Sequence, residues 1–203
     1  MKLKKSFFTN DEVTEVAKSL IGKKLCTRID DKYSAGIIVE TEAYSEVEKA
    51  CHAFNKRKTA RTETLFMEGG TSYVYLCYGI HKLFNVVTNH SGVAEAVLVR
   101  AIEPVEGIDT MMLRRGLSSN NEKLTSGPGK LTQALGIGLE HNQHDLTEDT
   151  VWLEKGIVVS DKLIERSARI GVRYAKEDAL LPWRFSIKNN SWVSSGDNNY
   201  NFD

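Results

Sequence analysis

The chain of 203 residues has no apolar run approaching the roughly 20 residues that cross a bilayer. Behind its basic start, Met1-Lys2-Leu3-Lys4-Lys5, no apolar segment of about 7 to 15 residues follows, so neither a membrane protein nor an exported one is expected. A cytoplasmic location is expected, or a nuclear one if the source is eukaryotic. Cysteine is scarce: Cys26, Cys51 and Cys77 are odd in number, widely spaced and form no Cys-x-x-Cys pair. That pattern points to buried thiols, with neither a disulfide framework nor a zinc site. Excess charge is missing too, with 27 basic against 27 acidic residues and a net charge of +0. A protein that holds nucleic acid through bulk positive charge is therefore excluded, and only the arrangement of charge can favour that partner. The glycines of Ser126-Gly127-Pro128-Gly129-Lys130 match neither a P-loop nor a dinucleotide fingerprint, so nucleoside triphosphate or NAD use is not expected. There is no internal repeat and no linker.

What is present centres on Gly36-Ile37-Ile38-Val39-Glu40-Thr41-Glu42-Ala43-Tyr44, an apolar run that ends in two carboxylates and an aromatic. β-Branched and small apolar side chains suit a buried strand, whereas an ionised Glu is rarely buried without a partner or a task. Side chains alternate along a strand, so Ile38, Glu40 and Glu42 are expected on one face and Ile37, Val39 and Thr41 on the other. With the strand fraying after Glu40, Glu42 sits at the mouth of whatever that face lines. Taken alone, both carboxylates also read as solvated strand ends.

In chain order, Thr9-Asn10-Asp11-Glu12 is a capping-box pattern, with Phe8 and Val13 placed as a hydrophobic staple. Val13, Val16, Ala17, Leu20 and Ile21 then recur at helical spacing up to Gly22. Lys24 to Arg28 and Tyr33 to Val39 read as strands joined by the turn Ile29-Asp30-Asp31-Lys32. Tyr73 and Tyr75 share one strand face, and Ala96 to Pro104 is a core strand. Helices are expected at Ile108 to Arg115 and in the stretch Ser126 to Gly136, entered through Gly-Pro and closed by Gly. Val151 to Leu153 and Ile157 to Val159 read as a hairpin around Lys155-Gly156, and Ser167 to Arg173 as a short strand or turn. Trp183 to Ile187 is the last strand. The Asn, Ser, Asp and Gly content of the end predicts a disordered tail over 196–203. The fold class expected is α+β, one domain over 1–195 with a curved, mostly antiparallel, open-barrel-like β-sheet flanked by α-helices.

The strongest basic cluster is Lys56-Arg57-Lys58-Thr59-Ala60-Arg61. A charge run is ordinarily a solvated face, yet consecutive cations in a Thr-containing loop are also able to grip phosphates through side-chain and backbone donors. Neutrality then requires Lys56, Arg57, Lys58, Arg61 and Lys130 on one face, and acids such as Glu46, Glu140, Glu148 and Asp149 elsewhere. His52, between Glu42 and this loop, reads as structural when taken alone. Tyr73 and Tyr75 are explained by core packing with bonded hydroxyls. Tyr78 beside Gly79 falls at a turn, where an exposed Tyr suits a wedge entering a base stack, with Tyr75 a flat surface for a base that has left it. Arg100 interrupts an apolar alternation; either the Glu42 strand supplies it with a carboxylate or it snorkels from a sheet edge. His141-Asn142-Gln143-His144-Asp145 has metal-like spacing, but no third cluster completes a shell.

Together these blocks resemble the 3-methyladenine (alkyladenine) DNA glycosylases, base-excision repair enzymes of the mammalian type that also occur in bacteria. The resemblance runs from about Val13 to Ser194. It is carried by Ile38 to Tyr44, Tyr73-Val74-Tyr75 with Tyr78-Gly79, Asn85, Leu98 to Pro104, Ser126-Gly127-Pro128 with Lys130-Leu131, and Arg169-Ile170-Gly171-Val172. It implies a monofunctional hydrolase, acting as a monomer without cofactor, metal or membrane. Such an enzyme flips an alkylated or deaminated purine out of double-stranded DNA and cleaves its N-glycosidic bond. On this likeness Glu42 is the general base that activates water, and Arg100 and the backbone carbonyl of Ile170 help hold that water. Tyr44, His52 and Tyr75 sandwich the flipped base, where a cationic purine gains from electron-rich rings. Asn85 crowds the exocyclic amino group of guanine, and Tyr78 fills the gap left in the duplex. Lys56, Arg57, Lys58, Thr59, Arg61 and Lys130 would contact the DNA backbone. Ala60 and Met67-Glu68-Gly69-Gly70 lack prolines common in the family, which bears on loop stiffness. From another class, the aromatics and basic loop also suit a non-catalytic nucleic-acid-binding module, for which a carboxylate near phosphate has no use. Glu42 separates the two.

Overall fold

A computed structural model describes residues 1–196. The predicted tail, 196–203, lies outside the described residues apart from Gly196. The long strand β2 (Lys32–Ser45) is the spine of an open, eight-stranded antiparallel sheet. Along one edge β2 pairs with β5 (Glu95–Glu106). Its other edge is shared, with β1 (Lys24–Ile29) on its first half and β8 (Arg184–Ile187) on Glu40, Thr41 and Glu42. β3 (Ser72–Cys77) and β4 (His81–Val87) extend the sheet beyond β5. β6 (Val151–Glu154) extends it beyond β1, and β7 (Ile164–Ser167) pairs with β8. The helices α1 (Val13–Leu20), α2 (Ile108–Arg115) and α3 (Pro128–Leu135) flank it.

The sharing of β2 coincides with a break in register. Ile38 faces Ile102 and Thr41 faces Val99, but between them the pairing passes over Val39 and Arg100. Such a bulge re-aims side chains. Ile38 and Ala43 join the core cluster with Val16, Ala17 and Leu20 of α1, and Thr41 Oγ1 donates to Ala17 O at 2.9 Å. Glu40, Glu42 and Tyr44 turn the other way. The expected grouping of Ile38 with the two glutamates is thus corrected: the bulge shifts the phase of alternation by one. The strand also does not fray after Glu40, because β5 and β8 pair with it on both sides there. Phe8, Leu20, Leu25, Phe84, Leu131 and Phe185 are fully buried around this spine, and each contributes roughly 1.5–3 kcal/mol of burial.

Other local expectations change as well. The β1–β2 turn narrows to Asp30 and Asp31, both at positive φ (52° and 57°), as a two-residue type I′ hairpin requires. The capping box is absent: no side chain caps α1, and Asn10 Oδ1 instead accepts the Glu12 N–H at 2.9 Å. The hairpin expected at 151–159 does not form. Gly156 lies against the main chain of Gly22, and Ile157 N–H donates to Gly22 O at 2.8 Å, so the chain leaves β6 along the β1 entry instead of folding back on β6. Cys26 and Cys51 are buried, whereas Cys77 is only half-buried. Burial pushes the thiols of Cys26 and Cys51 up to about 11 and about 12. Among the described residues no helix is long and apolar enough to cross a membrane.

Candidate active site

A cavity of about 740 Å³ opens where the second half of β2 meets β3, β4 and β5. Tyr44, His52, Tyr73, Tyr75 and Asn85 line its inner part, with Arg100, Ile170 and Arg61 around them and Tyr78 and Lys130 toward its mouth. The sequence thus pointed to residues as far apart as Tyr44 and Ile170 that the fold gathers at one place.

Glu42 stands directly behind this lining and is fully buried. Its Oε1 accepts the Ile170 N–H at 2.7 Å, and its Oε2 accepts the Tyr44 hydroxyl at 2.8 Å and Arg100 Nη1 at 3.3 Å. A carboxylate offers about four acceptor positions, so about one remains. Of the two readings of Arg100, the paired one holds: Nε donates to Glu40 Oε1 at 2.9 Å and Nη2 to Ser194 Oγ at 3.3 Å. The Ile170 main chain meets Glu42 through its N–H. Burial and the adjacent Glu42 carboxylate raise the Tyr44 phenol well above its ordinary value, so its hydroxyl stays a donor.

Behind Glu42 the sequence reading missed a layer of support. Glu40 also accepts Arg184 Nε at 2.7 Å and the Ser194 N–H at 2.8 Å. Burial alone pushes the Glu40 carboxyl up, but Arg100, Arg184 and Ser194 outweigh it and hold it below the usual range. Arg169, fully buried, forms a two-pronged pair with Glu48, both N···O distances being 2.8 Å. It also donates to Ala43 O and Asp178 O, each at 3.0 Å, and its guanidinium lies 4.8 Å from the Tyr44 ring centre. The available signal was the one that drew attention to Arg100, a lone arginine within an apolar stretch, Ala168 to Val172. Ser194 gave no such sign.

The aromatic wall is built by alternation on β3. Tyr73 and Tyr75 stack with centroids 5.3 Å apart, and His52 meets Tyr75 edge-on at 4.7 Å. Tyr73, read as a core aromatic with a bonded hydroxyl, has its hydroxyl 3.0 Å from His52 Nδ1. Burial, helped by the nearby Arg61 charge, lowers His52 to about 4, so the ring is neutral near pH 7 and able to accept the Tyr73 proton. Asn85 is held by its Nδ2, which donates to Tyr73 O at 3.0 Å. Tyr78 caps the β3–β4 hairpin at φ 50°, beside Gly79 at φ 73°, and is 87% exposed. Positive φ is uncommon for a bulky residue, and it carries this ring out of the sheet and away from any core contact.

The basic loop divides. Arg57 is exposed and has no ion-pair partner among the described residues. Lys58 lies over Phe66 at 5.6 Å, and Lys56 is 3.7 Å from Glu46. The Thr59 N–H is taken by Thr62 Oγ1 at 2.9 Å, and Thr62 Oγ1 donates to Arg57 O at 2.7 Å, so side-chain bonds brace a loop that lacks proline. Glu46 was expected away from the cations; it is buried beneath them, accepting the Ala94 N–H at 2.9 Å. Arg61 turns from the loop into the cavity. His141 Nδ1 accepts the Gly138 N–H at 2.9 Å, His144 Nε2 accepts the Val151 N–H at 3.4 Å, and no metal-holding group of three side chains occurs among the described residues.

The model of the methylpurine-DNA glycosylase family matches residues 6–191 of this chain. A relative from Chlamydia abortus is 48% identical over 187 residues, covering 91% of this chain and 97% of its own length. One from Carboxydothermus hydrogenoformans is 46% identical over 195 residues, covering 96% and 99%. One from Clostridium tetani is 42% identical over 203 residues, again covering 96% and 99%. Each of the three bears the name "Putative 3-methyladenine DNA glycosylase".

Proposed function

The chain belongs to the methylpurine-DNA glycosylase family, and from that membership we propose that it flips a damaged purine, alkylated or deaminated, out of duplex DNA and hydrolyses its glycosidic bond with water activated by Glu42. The observation that carries this reading is a fully buried carboxylate with about one acceptor position left, set behind an aromatic cavity of about 740 Å³. Burying a carboxylate is costly unless it is paired, and a module that merely binds nucleic acid gains nothing from it; this favours the hydrolase. In the reaction Glu42 takes a proton from water as its oxygen attacks the anomeric carbon. The carbon–nitrogen bond breaks and its electron pair leaves with the purine. Arg100, Tyr44 and the Ile170 main chain fix the carboxylate, and a fixed base is worth about 10²- to 10⁴-fold.

The purine would stack against Tyr44, His52 and Tyr75, with Asn85 crowding a guanine amino group. Tyr78, exposed on its hairpin tip, would fill the gap in the stack at a cost in unstacking of a few kcal/mol. Arg57, Lys58 and Lys130, with Lys56 and the Thr59 segment, would meet phosphates, and a monomer suffices for all of these contacts.

The test is Glu42→Gln, which keeps the shape and removes the base. Lesion-containing duplex should still bind while base release falls at least about 10²-fold. Turnover near the wild-type rate would refute the role of Glu42.

A further inference from the structure

Most charges around the cavity are matched. Arg100 faces Glu40 and Glu42, Arg184 faces Glu40, and Arg169 faces Glu48. Two cations of the lining have no carboxylate within ion-pair distance among the described residues: Lys130, on the first turn of α3, and Arg61. They differ in place. Both side chains are exposed, but Lys130 stands near the mouth, whereas the Arg61 guanidinium lies 5.3 Å from the centre of the Tyr75 ring, on an aromatic wall. Two of the three rings offered for stacking therefore already carry a guanidinium, Arg169 on Tyr44 and Arg61 on Tyr75. The Arg169 charge is offset by Glu48; that of Arg61 is not.

We propose that Arg61 is a specificity-determining residue of the base pocket, an uncompensated positive charge that disfavours purines bearing a formal positive charge relative to neutral damaged purines. The inference rests on the glycosylase reading and refines it. A cationic base, such as one alkylated at a ring nitrogen, gains from an electron-rich ring, but here it would share Tyr75 with a like charge in a partly enclosed site, where screening is weaker than in bulk water. A neutral base keeps its stacking and meets no repulsion. That the same charge helps keep His52 neutral accords with a positive potential inside the pocket. Arg61 was expected among the phosphate contacts, and its position over Tyr75 separates it from Arg57.

The experiment compares excision of 7-methylguanine, a cation, with that of hypoxanthine, a neutral base, from otherwise identical duplexes by the full chain. Arg61→Gln should raise the ratio of kcat/KM for 7-methylguanine over hypoxanthine by roughly three- to tenfold, the scale of a Coulomb term partly screened by solvent, and Arg61→Lys should keep the wild-type ratio. If the wild type releases only hypoxanthine, a gain of 7-methylguanine release by Arg61→Gln is the supporting result. An unchanged ratio in Arg61→Gln, with both bases released more slowly and a shallower salt dependence of binding, would make Arg61 a phosphate contact and overturn the proposal. If the wild type releases neither base from any duplex, the glycosylase reading itself fails, an outcome distinct from an unchanged ratio.

Discussion

Two sets of charged side chains flank the same cavity under opposite conditions. Behind it, Arg100, Arg184 and Arg169 are held by Glu40, Glu42 and Glu48, and Arg169 and the three carboxylates are almost wholly out of water. In front, Lys56, Arg57 and Lys58 lie in a solvated loop. The side chains are chemically alike, and solvent decides what they do. A buried pair is expensive to form and more expensive to break, so the rear network fixes geometry. An exposed cation is worth little to stability and remains available to an anion from outside.

The largest effect expected from this contrast is at Arg169. Its removal leaves Glu48 buried without its arginine and breaks two main-chain bonds at once, to Ala43 O next to Glu42 and to Asp178 O. Arg169→Met should cost about 3–5 kcal/mol, measured by urea unfolding. Adding Glu48→Met should recover much of that loss, because an apolar pair of similar volume leaves no buried charge. A loss under about 1 kcal/mol for the single change would mean that water reaches Glu48 and that the two regions differ less than their burial indicates.

A smaller effect distinguishes Glu40 by its pH dependence. Its carboxyl is held below the ordinary range because Arg100 and Arg184 outweigh the penalty of burial. A depressed folded value means that ionised Glu40 contributes stability fully above its unfolded value of about 4.3, and that this contribution is lost as pH falls through the lower folded value. Glu40→Gln should therefore destabilise the chain at pH 7 and differ progressively less from wild type as the solution is acidified below about 4. Glu95 supplies the opposite sign. Burial raises its carboxyl, against the hydrogen bonds from Asn89 and Ser45, so its contribution falls as pH rises from the unfolded value toward the folded one. A constant gap between wild type and Glu40→Gln from pH 7 to pH 3 would contradict the assignment.

The same contrast explains which parts of the molecule could be read in the sequence. Exposed groups advertise themselves as runs, as at Lys56-Arg57-Lys58, and buried ones as interruptions of apolar alternation, as at Arg100. Strands and helices with a clear period, such as β5 and α3, fell where their patterns put them. The bulge at Val39 was invisible, because it lies in the register between β2 and β5, strands far apart in sequence, and no local pattern encodes that register. It also reversed the facing of Ile38 against Glu40. Ser194 was invisible for a related reason: a small hydroxyl in a polar stretch acquires its role only when the chain end reaches Glu40. The hairpin predicted at 151–159 failed because Gly156 served a close approach to Gly22 instead of a turn.

The smallest effect on stability, and the clearest on binding, belongs to the loop. Arg57 and Lys58 have no ion-pair partner among the described residues, so replacing both by Ala should change the unfolding free energy by no more than about 0.5 kcal/mol. If both meet phosphates on duplex DNA, each accounts for roughly 0.9 of the slope of log affinity against log salt, and the double variant should bind with a slope shallower by roughly twice that amount. The loss should be equal for damaged and undamaged duplex, because phosphate contacts position the protein and carry no information about the base. Arg61→Gln is the internal control: a residue acting inside the pocket changes the ratio between lesions and leaves the salt slope alone. A double variant with the original slope would put the duplex on another face, and the front of the cavity would then be a solvated edge whose charges serve solubility.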